Sequence, residues 1–230
     1  MAVNAEQLSR QWASTTDALP IRSGANRRHR TPGYPVKKRV LDLVLCTLAL
    51  PIALPILAAC ALAVKLTSRG PVFFVQERTG WRGRRFRMVK FRTMVVGAAD
   101  MKAALADRNQ MGGPDFKIQN DPRVTRVGRF LRKTSLDEAP QLWNILKGDM
   151  SLVGPRPTSF SADTYQLWHT ERLEALPGLT GLWQVRGRGL VAFDDRVRLD
   201  IAYVRNRSIA LDISILLSTI PAVLFQRGAY

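Results

Sequence analysis

The chain has 230 residues, room for one domain of ordinary size plus a membrane element and a tail, and it carries a formal net charge of +17. That surplus attracts polyanions, so nucleic acid, anionic lipid headgroups and phosphorylated substrates are the partner classes to weigh. The only histidines are His29 and His169, which argues against a histidine-rich zinc centre and against a serine–histidine triad.

Residues 1–35 are rich in Ser, Thr, Ala and Arg without apolar periodicity, and predict a disordered basic cytoplasmic tail. Arg27, Arg28 and Arg30 are placed there to meet anionic lipid. A signal peptide does not fit, because the apolar run begins only after Arg39 and no small-residue cleavage site follows it. Residues 36–68 form the membrane element, uncharged from Leu43 to Val64. Straight, that uncharged stretch measures about 33 Å, enough to cross a bilayer core. Pro51 and Pro55 lie inside it, and Lys37, Lys38 and Arg39 on one side face a second basic cluster beginning at Lys65 and Arg69 on the other. A spanning helix would export one cluster, against the cytoplasmic bias of Lys and Arg, whereas a helix broken at proline that returns to its own face keeps both inside. The residues leave both paths open. Cys46 and Cys60, about 20 Å apart on a helix, are too distant for a disulfide and read as reduced packing residues.

Residues 70–97 alternate in a strand-like way around turn signals at Thr79-Gly80 and Arg82-Gly83, which predicts a hairpin with a cationic face. Residues 98–111 are helix-like, and Gly112-Gly113-Pro114 breaks the chain after them. From Asp121 to Pro157 the pattern becomes chemical. Arg123, Arg126, Arg129, Arg132 and Lys133 lead into the adjacent acids Asp137 and Glu138. Ser135 with Glu138 fits a capping box, and Asp137 as the N-cap would move Pro140 into the first turn; both versions put the acids at a helix start, where the dipole favours ionised carboxylates. Pro155 and Pro157 then fix the backbone on either side of Arg156. Cations beside a carboxylate pair suit chemistry on a phosphate, although a basic strip running into an acidic helix start gives the same local pattern. Farther on, residues 160–176 predict a helix carrying Trp168, Pro177-Gly178 a turn, and 182–185 a short strand or coil. A mixed-charge helix follows over 193–205, and the apolar stretch 209–225 reads as a membrane-surface or packing helix. There is no internal repeat and no Walker or Rossmann glycine loop.

Taken in order, these residues resemble the bacterial sugar transferase family, monotopic polyprenyl-phosphate phosphoglycosyl transferases, from about Val36 to Tyr230. The markers are Lys38-Arg39-Val40-Leu41-Asp42, Lys90-Phe91-Arg92-Thr93-Met94, Thr134-Ser135-Leu136-Asp137-Glu138 and Lys147-Gly148-Asp149-Met150-Ser151. Gly154-Pro155-Arg156-Pro157, Pro177-Gly178-Leu179-Thr180-Gly181, and Asp200 with Tyr203-Val204 complete the set. The chain looks like the catalytic part of longer relatives with extra membrane helices upstream. The resemblance implies an α+β, mostly helical, monotopic membrane protein with a re-entrant helix breaking at Pro51 and Pro55, surface amphipathic helices and a small strand element. It implies a catalytic domain over 69–230 on the cytoplasmic face of the bacterial inner membrane. The implied reaction moves a sugar-1-phosphate from a UDP-sugar to undecaprenyl phosphate, releasing UMP, as the first membrane step of exopolysaccharide or other surface-glycan synthesis. Asp137 would be the nucleophile and a Mg²⁺ ligand, forming a phosphosugar–aspartyl intermediate, with Glu138 assisting as base or electrostatic partner. Arg132 would hold polyprenyl phosphate; Lys90, Pro155, Arg156, Pro157 and Arg188 fall on the nucleotide-diphosphate side. Some members of the family place Ser directly before the breaking proline Pro55, and here that residue is Leu54. Expected partners are the two substrates and anionic lipids, with homo-oligomerisation and downstream glycosyltransferases left open and no nucleic acid. The competing class is a non-catalytic, membrane-bound basic scaffold for anionic lipid or nucleic acid. It accounts for the charge but not for the embedded acid pair or the proline-fixed Arg156, and it has no recognised nucleic-acid module.

Overall fold

The computed structural model describes residues 33–110, 116, 118–186 and 192–224. The expected tail lies outside these residues up to Pro32, as does Arg188. Gly33, with φ +74°, precedes helix α1, Tyr34–Thr67, and Pro35 falls in its first turn, where a missing N–H costs nothing. α1 is 34 residues long and is helical through both Pro51 and Pro55. Val44, Leu48, Ile52, Leu54 and Leu62 project outward, while Cys46, Cys60 and Val64 are buried, so one narrow stripe packs on the body and the rest of the helix is exposed and apolar, compatible with a membrane. Both cysteines are free thiols, as their spacing requires.

The expected hairpin forms. β1, Phe73–Thr79, pairs antiparallel with β2, Arg85–Phe91, with Phe73 opposite Phe91 and Thr79 opposite Arg85. Its turn holds Arg82 at φ 54° and Gly83 at φ 76°, the left-handed conformations a tight connection needs. Residues Asp100–Arg108 form a 3-10 helix where the sequence reads helix. Helix α2, Arg126–Lys133, starts at Thr125, whose side chain accepts from Gly128 N. A 3-10 helix, Leu136–Gln141, and helix α3, Leu142–Lys147, follow.

The residues after α3 hold a second sheet that local pattern does not reveal: β3, Ser151–Val153, pairs in parallel with β4, Gly178–Thr180, joining Ser151 to Gly178 and Val153 to Thr180. The sequence reads 160–176 as one helix, but two 3-10 segments, Ala162–Thr164 and Leu167–Glu174, occupy it. Residues read as strand or coil at 182–185 belong to helix α4, Leu182–Arg186. Helices α5, Phe193–Asn206, and α6, Ile209–Leu224, lie where periodicity puts them.

Two apolar clusters attach α1 to this body. Cys46 packs with Met88, Ile145 and Met150, and nearer the other end Cys60 and Val64 pack with Phe91 and Leu131. Polar anchors reinforce both ends. Arg39 donates to the last carbonyls of α3, Ile145 O at 2.5 Å and Leu146 O at 2.7 Å. Arg92 donates to Arg69 O at 2.8 Å and Ser68 O at 3.0 Å, just past the end of α1. A guanidinium at a helix C-terminus satisfies orphan carbonyls and the dipole together. Deeper, buried Asp42 accepts from Ser151 Oγ at 2.7 Å, Leu152 N at 3.2 Å and Lys38 Nζ at 3.2 Å. Tyr34 and Tyr203 both donate to buried Asp212, and Tyr203 Oη lies 3.1 Å from Val153 O. This network locks β3 to α1, α5 and α6, and β3 leads directly to Arg156.

Candidate active site

Four separate elements bring the sequence candidates together. β2 supplies Lys90, the end of α2 supplies Arg132, the 3-10 helix supplies Asp137 and Glu138, and the loop after β3 supplies Arg156. Ser135, at φ 59°, turns the chain sharply between α2 and the acids. Its side chain makes no cap bond, so the expected capping box does not form. Arg156 grips Glu138 with two prongs: Nη1 donates to Oε2 at 3.0 Å and Nη2 to Oε1. Arg132 Nε donates to Thr93 Oγ1 at 2.9 Å, which sets the direction of its guanidinium.

The electrostatics correct one expectation. A helix start was expected to keep the acids at low pKa, yet burial, followed by the neighbouring Glu138 charge, pushes Asp137 up to about 6. Lys90, Arg132 and Arg156 pull the other way without prevailing. The helix is a six-residue 3-10 segment, too short to build a dipole field that competes with desolvation. Lys90 responds in mirror image. Burial, then the nearby Arg78, pulls it down to about 8, and Asp137 and Glu138 partly restore it. Asp137 is 9 % exposed, so this carboxylate sits at the floor of a cationic ring with an opening to solvent.

The two prolines turn out to be only part of what fixes Arg156. Each carbonyl of the corner also accepts a hydrogen bond: Pro155 O from Gly178 N at 2.9 Å, Arg156 O from Arg172 Nη2 at 2.6 Å, and Pro157 O from Arg78 Nη1 at 3.4 Å. Arg172 is in turn paired with Asp200, and both are buried. Arg78, Arg172 and Thr93 were not singled out as site residues by sequence reasoning. Arg172 sits in an ordinary polar stretch, and nothing nearby in sequence marks it as a support for Arg156.

The bacterial sugar transferase family model matches residues 33–226. The chain belongs to the bacterial sugar transferase family. It is 45 % identical over 199 residues to the undecaprenyl-phosphate galactose phosphotransferase of Salmonella typhimurium, covering 84 % of this chain and 41 % of that protein. It is 43 % identical over 204 residues to the UDP-glucose:undecaprenyl-phosphate glucose-1-phosphate transferase of Caulobacter vibrioides, covering 85 % and 72 %. The exopolysaccharide production protein ExoY of Rhizobium meliloti matches at 40 % over 225 residues, covering 95 % and 97 %. The chain thus spans about two fifths of the Salmonella relative's length and nearly all of ExoY's. Within this family match, Lys90, Arg132 and Arg156 all act electrostatically on Asp137, and Arg156 grips Glu138.

Proposed function

We propose that this chain transfers a sugar-1-phosphate from a UDP-sugar to undecaprenyl phosphate at the cytoplasmic face of the bacterial inner membrane. The observation that carries the reading is Asp137, a nearly buried carboxylate among Lys90, Arg132 and Arg156, with its neighbour Glu138 clamped by Arg156. In the first step a carboxylate oxygen of Asp137 attacks the β-phosphorus, the bond from that phosphorus to the bridging oxygen breaks, and UMP leaves with the electron pair. In the second, an oxygen of undecaprenyl phosphate attacks the same phosphorus and the Asp137 carboxylate departs, giving the lipid diphosphosugar. Glu138 meets the incoming lipid phosphate as base or electrostatic partner. Phosphoryl transfer asks the protein chiefly for positioning and charge neutralisation, which the cationic ring supplies. At about 6, the Asp137 pKa leaves the nucleophile ionised at neutral pH.

Mg²⁺ fits these donors. The ion is characteristically held by one or two carboxylates with waters and substrate phosphates completing its shell. Asp137 would hold it; no group of three or more His, Cys, Asp or Glu side chains able to hold a metal occurs among the described residues, so waters and substrate phosphates would complete the shell. When bound, it would offset charge on the diphosphate.

A re-entrant path for α1 is supported by its anchors. Arg39 and Asp42 near one end and Ser68 and Arg69 past the other bond to the same body, and a helix crossing to the far side could not keep both. Basic residues at both flanks suit anionic lipid headgroups. The relatives' names differ in sugar, galactose in one and glucose in another. The test is therefore UMP release from a panel of UDP-sugars with undecaprenyl phosphate and Mg²⁺ in nanodiscs. Release with one sugar, dependent on the lipid phosphate and lost in Asp137→Asn with membrane association intact, is the expected result. Appreciable turnover by Asp137→Asn would sink the nucleophile assignment.

A further inference from the structure

Of the three cations acting on Asp137, two are held in direction by hydrogen bonds: Arg132 by Thr93 and Arg156 by Glu138. Lys90 is held differently. Asp137 and Glu138 are close enough to act on it electrostatically, yet among the described residues no hydrogen bond or ion pair fixes its ammonium. A compact charge on a flexible stem can point many ways unless something confines it. What meets it is a ring. Lys90 Nζ lies 5.5 Å from the centre of the Phe74 ring, inside the roughly 6 Å reach of a cation–π contact.

The hairpin explains the meeting. Phe74 on β1 stands directly opposite Lys90 on β2, with Gln76 opposite Met88 and Arg78 opposite Phe86. Strand alternation puts these side chains on one face, where opposite residues touch. That face is turned to the body, since Met88 is buried against Cys46, Ile145 and Met150. Along β1 it carries Phe74, Gln76 and Arg78; Gln76 Oε1 accepts from Arg78 Nη2 at 2.7 Å, and Arg78 Nη1 donates to Pro157 O at 3.4 Å. Phe74 itself is 44 % exposed, so its burial supplies only part of what a core phenylalanine supplies.

We propose that Phe74 is a positioning residue for Lys90: its ring holds the ammonium beside Asp137 while leaving the N–H donors for the diphosphate oxygens of the sugar donor. This rests on the reaction proposed above and adds a residue from β1, a strand to which motif matching assigns no role. A hydrogen-bond acceptor in place of the ring would occupy one of those donors, and a carboxylate would also neutralise the charge that the diphosphate needs. The ring face attracts the cation without doing either. Losing the ring lets the ammonium wander, and a catalytic cation displaced by about 1 Å loses much of its effect.

The test is a double-mutant cycle on UDP affinity, read by calorimetry with the full chain in nanodiscs, beside UMP release from a UDP-sugar with undecaprenyl phosphate. Phe74→Leu keeps apolar bulk without a ring and should weaken UDP roughly fivefold. Phe74→Trp keeps a ring and should stay within about threefold of the wild type. In the Lys90→Met background Phe74→Leu should cost nothing further, because the ring then has no cation to hold. A purely structural role gives the same loss in both backgrounds. Thermal melting checks each variant, and Phe74→Ile replaces Phe74→Leu should the latter melt early. Unchanged UDP affinity in the folded ring-less variant, an undiminished loss in the Lys90→Met background, or no UDP binding by the wild type would each overturn the assignment. Coupling between the two positions in a protein that releases no UMP leaves the Phe74–Lys90 assignment standing and overturns the reaction instead.

Discussion

Gly154→Ala tests how the second sheet serves the site. A Cβ at position 154 would sit 2.3 Å from Leu176 O and 2.9 Å from Gly178 N, where ordinary contact begins at 3.4 Å. Both obstacles are backbone, so no side chain can swing aside. The residue's φ lies outside the left-handed region, so close approach rather than conformational freedom demands glycine here. The crowded atoms flank the bonds Gly154 N to Thr180 O and Gly178 N to Pro155 O, each 2.9 Å. Relieving the clash parts β3 from β4 by about 1 Å and moves the Arg156 corner with it, a displacement that typically costs on the order of 10²-fold in rate. Overpacking of this kind also costs about 1–3 kcal/mol of stability. The assay is single-turnover UMP release beside a thermal melt, with the expected loss falling on the rate more than on donor affinity. A variant that folds and turns over within about threefold of wild type would refute the claim that the β3–β4 pairing positions Arg156.

Arg156→Lys keeps the charge but cannot reproduce the two-pronged grip on Glu138, and should lower kcat by roughly 10²-fold or more, read by steady-state UMP release. Asp42→Ala strips Ser151, Leu152 N and Lys38 of a buried partner. It should cost about 3–5 kcal/mol and lower Tm by on the order of 10 °C, measured by differential scanning fluorimetry in detergent. Asp200 is pushed by burial from 3.8 up to about 6, against the pull of Arg172. A folded-state pKa above the unfolded one contributes stability that is full below about pH 4 and lost as pH rises through about 6. Asp200→Asn, which does not titrate, should flatten Tm across that window; parallel profiles for variant and wild type would contradict the assigned shift.

Much of the chemistry was legible because it rests on residue type at close spacing. Asp137-Glu138 after a run of arginines, Arg156 between prolines, and the uncharged stretch with basic flanks can be recognised without knowing the fold. The antiparallel hairpin was legible for a similar reason, since alternation and turn residues are local and adjacent strands pair with short loops. The parallel β3–β4 pair was not. Its strands are three residues each and separated by a long crossover, so neither shows a period, and Pro177-Gly178 reads as a turn. The same limit hid Arg172, whose role depends on Arg156 O and Asp200, groups distant in sequence.

The sequence by itself determined that a lipid-compatible helix with cationic ends precedes a basic body containing an acid pair, because hydropathy, charge and proline geometry are properties of the residues in order. Only the tertiary structure decided the state of that acid pair. Burial and like charge depend on what packs around a group, and here they outweigh a short helix's dipole and raise Asp137 to about 6. Tertiary packing likewise decided that both ends of α1 bind one body, and that four arginines and three aromatic rings line a common cleft. Contacts between distant segments leave no periodic trace in the chain, so their geometry appears only when the chain has folded.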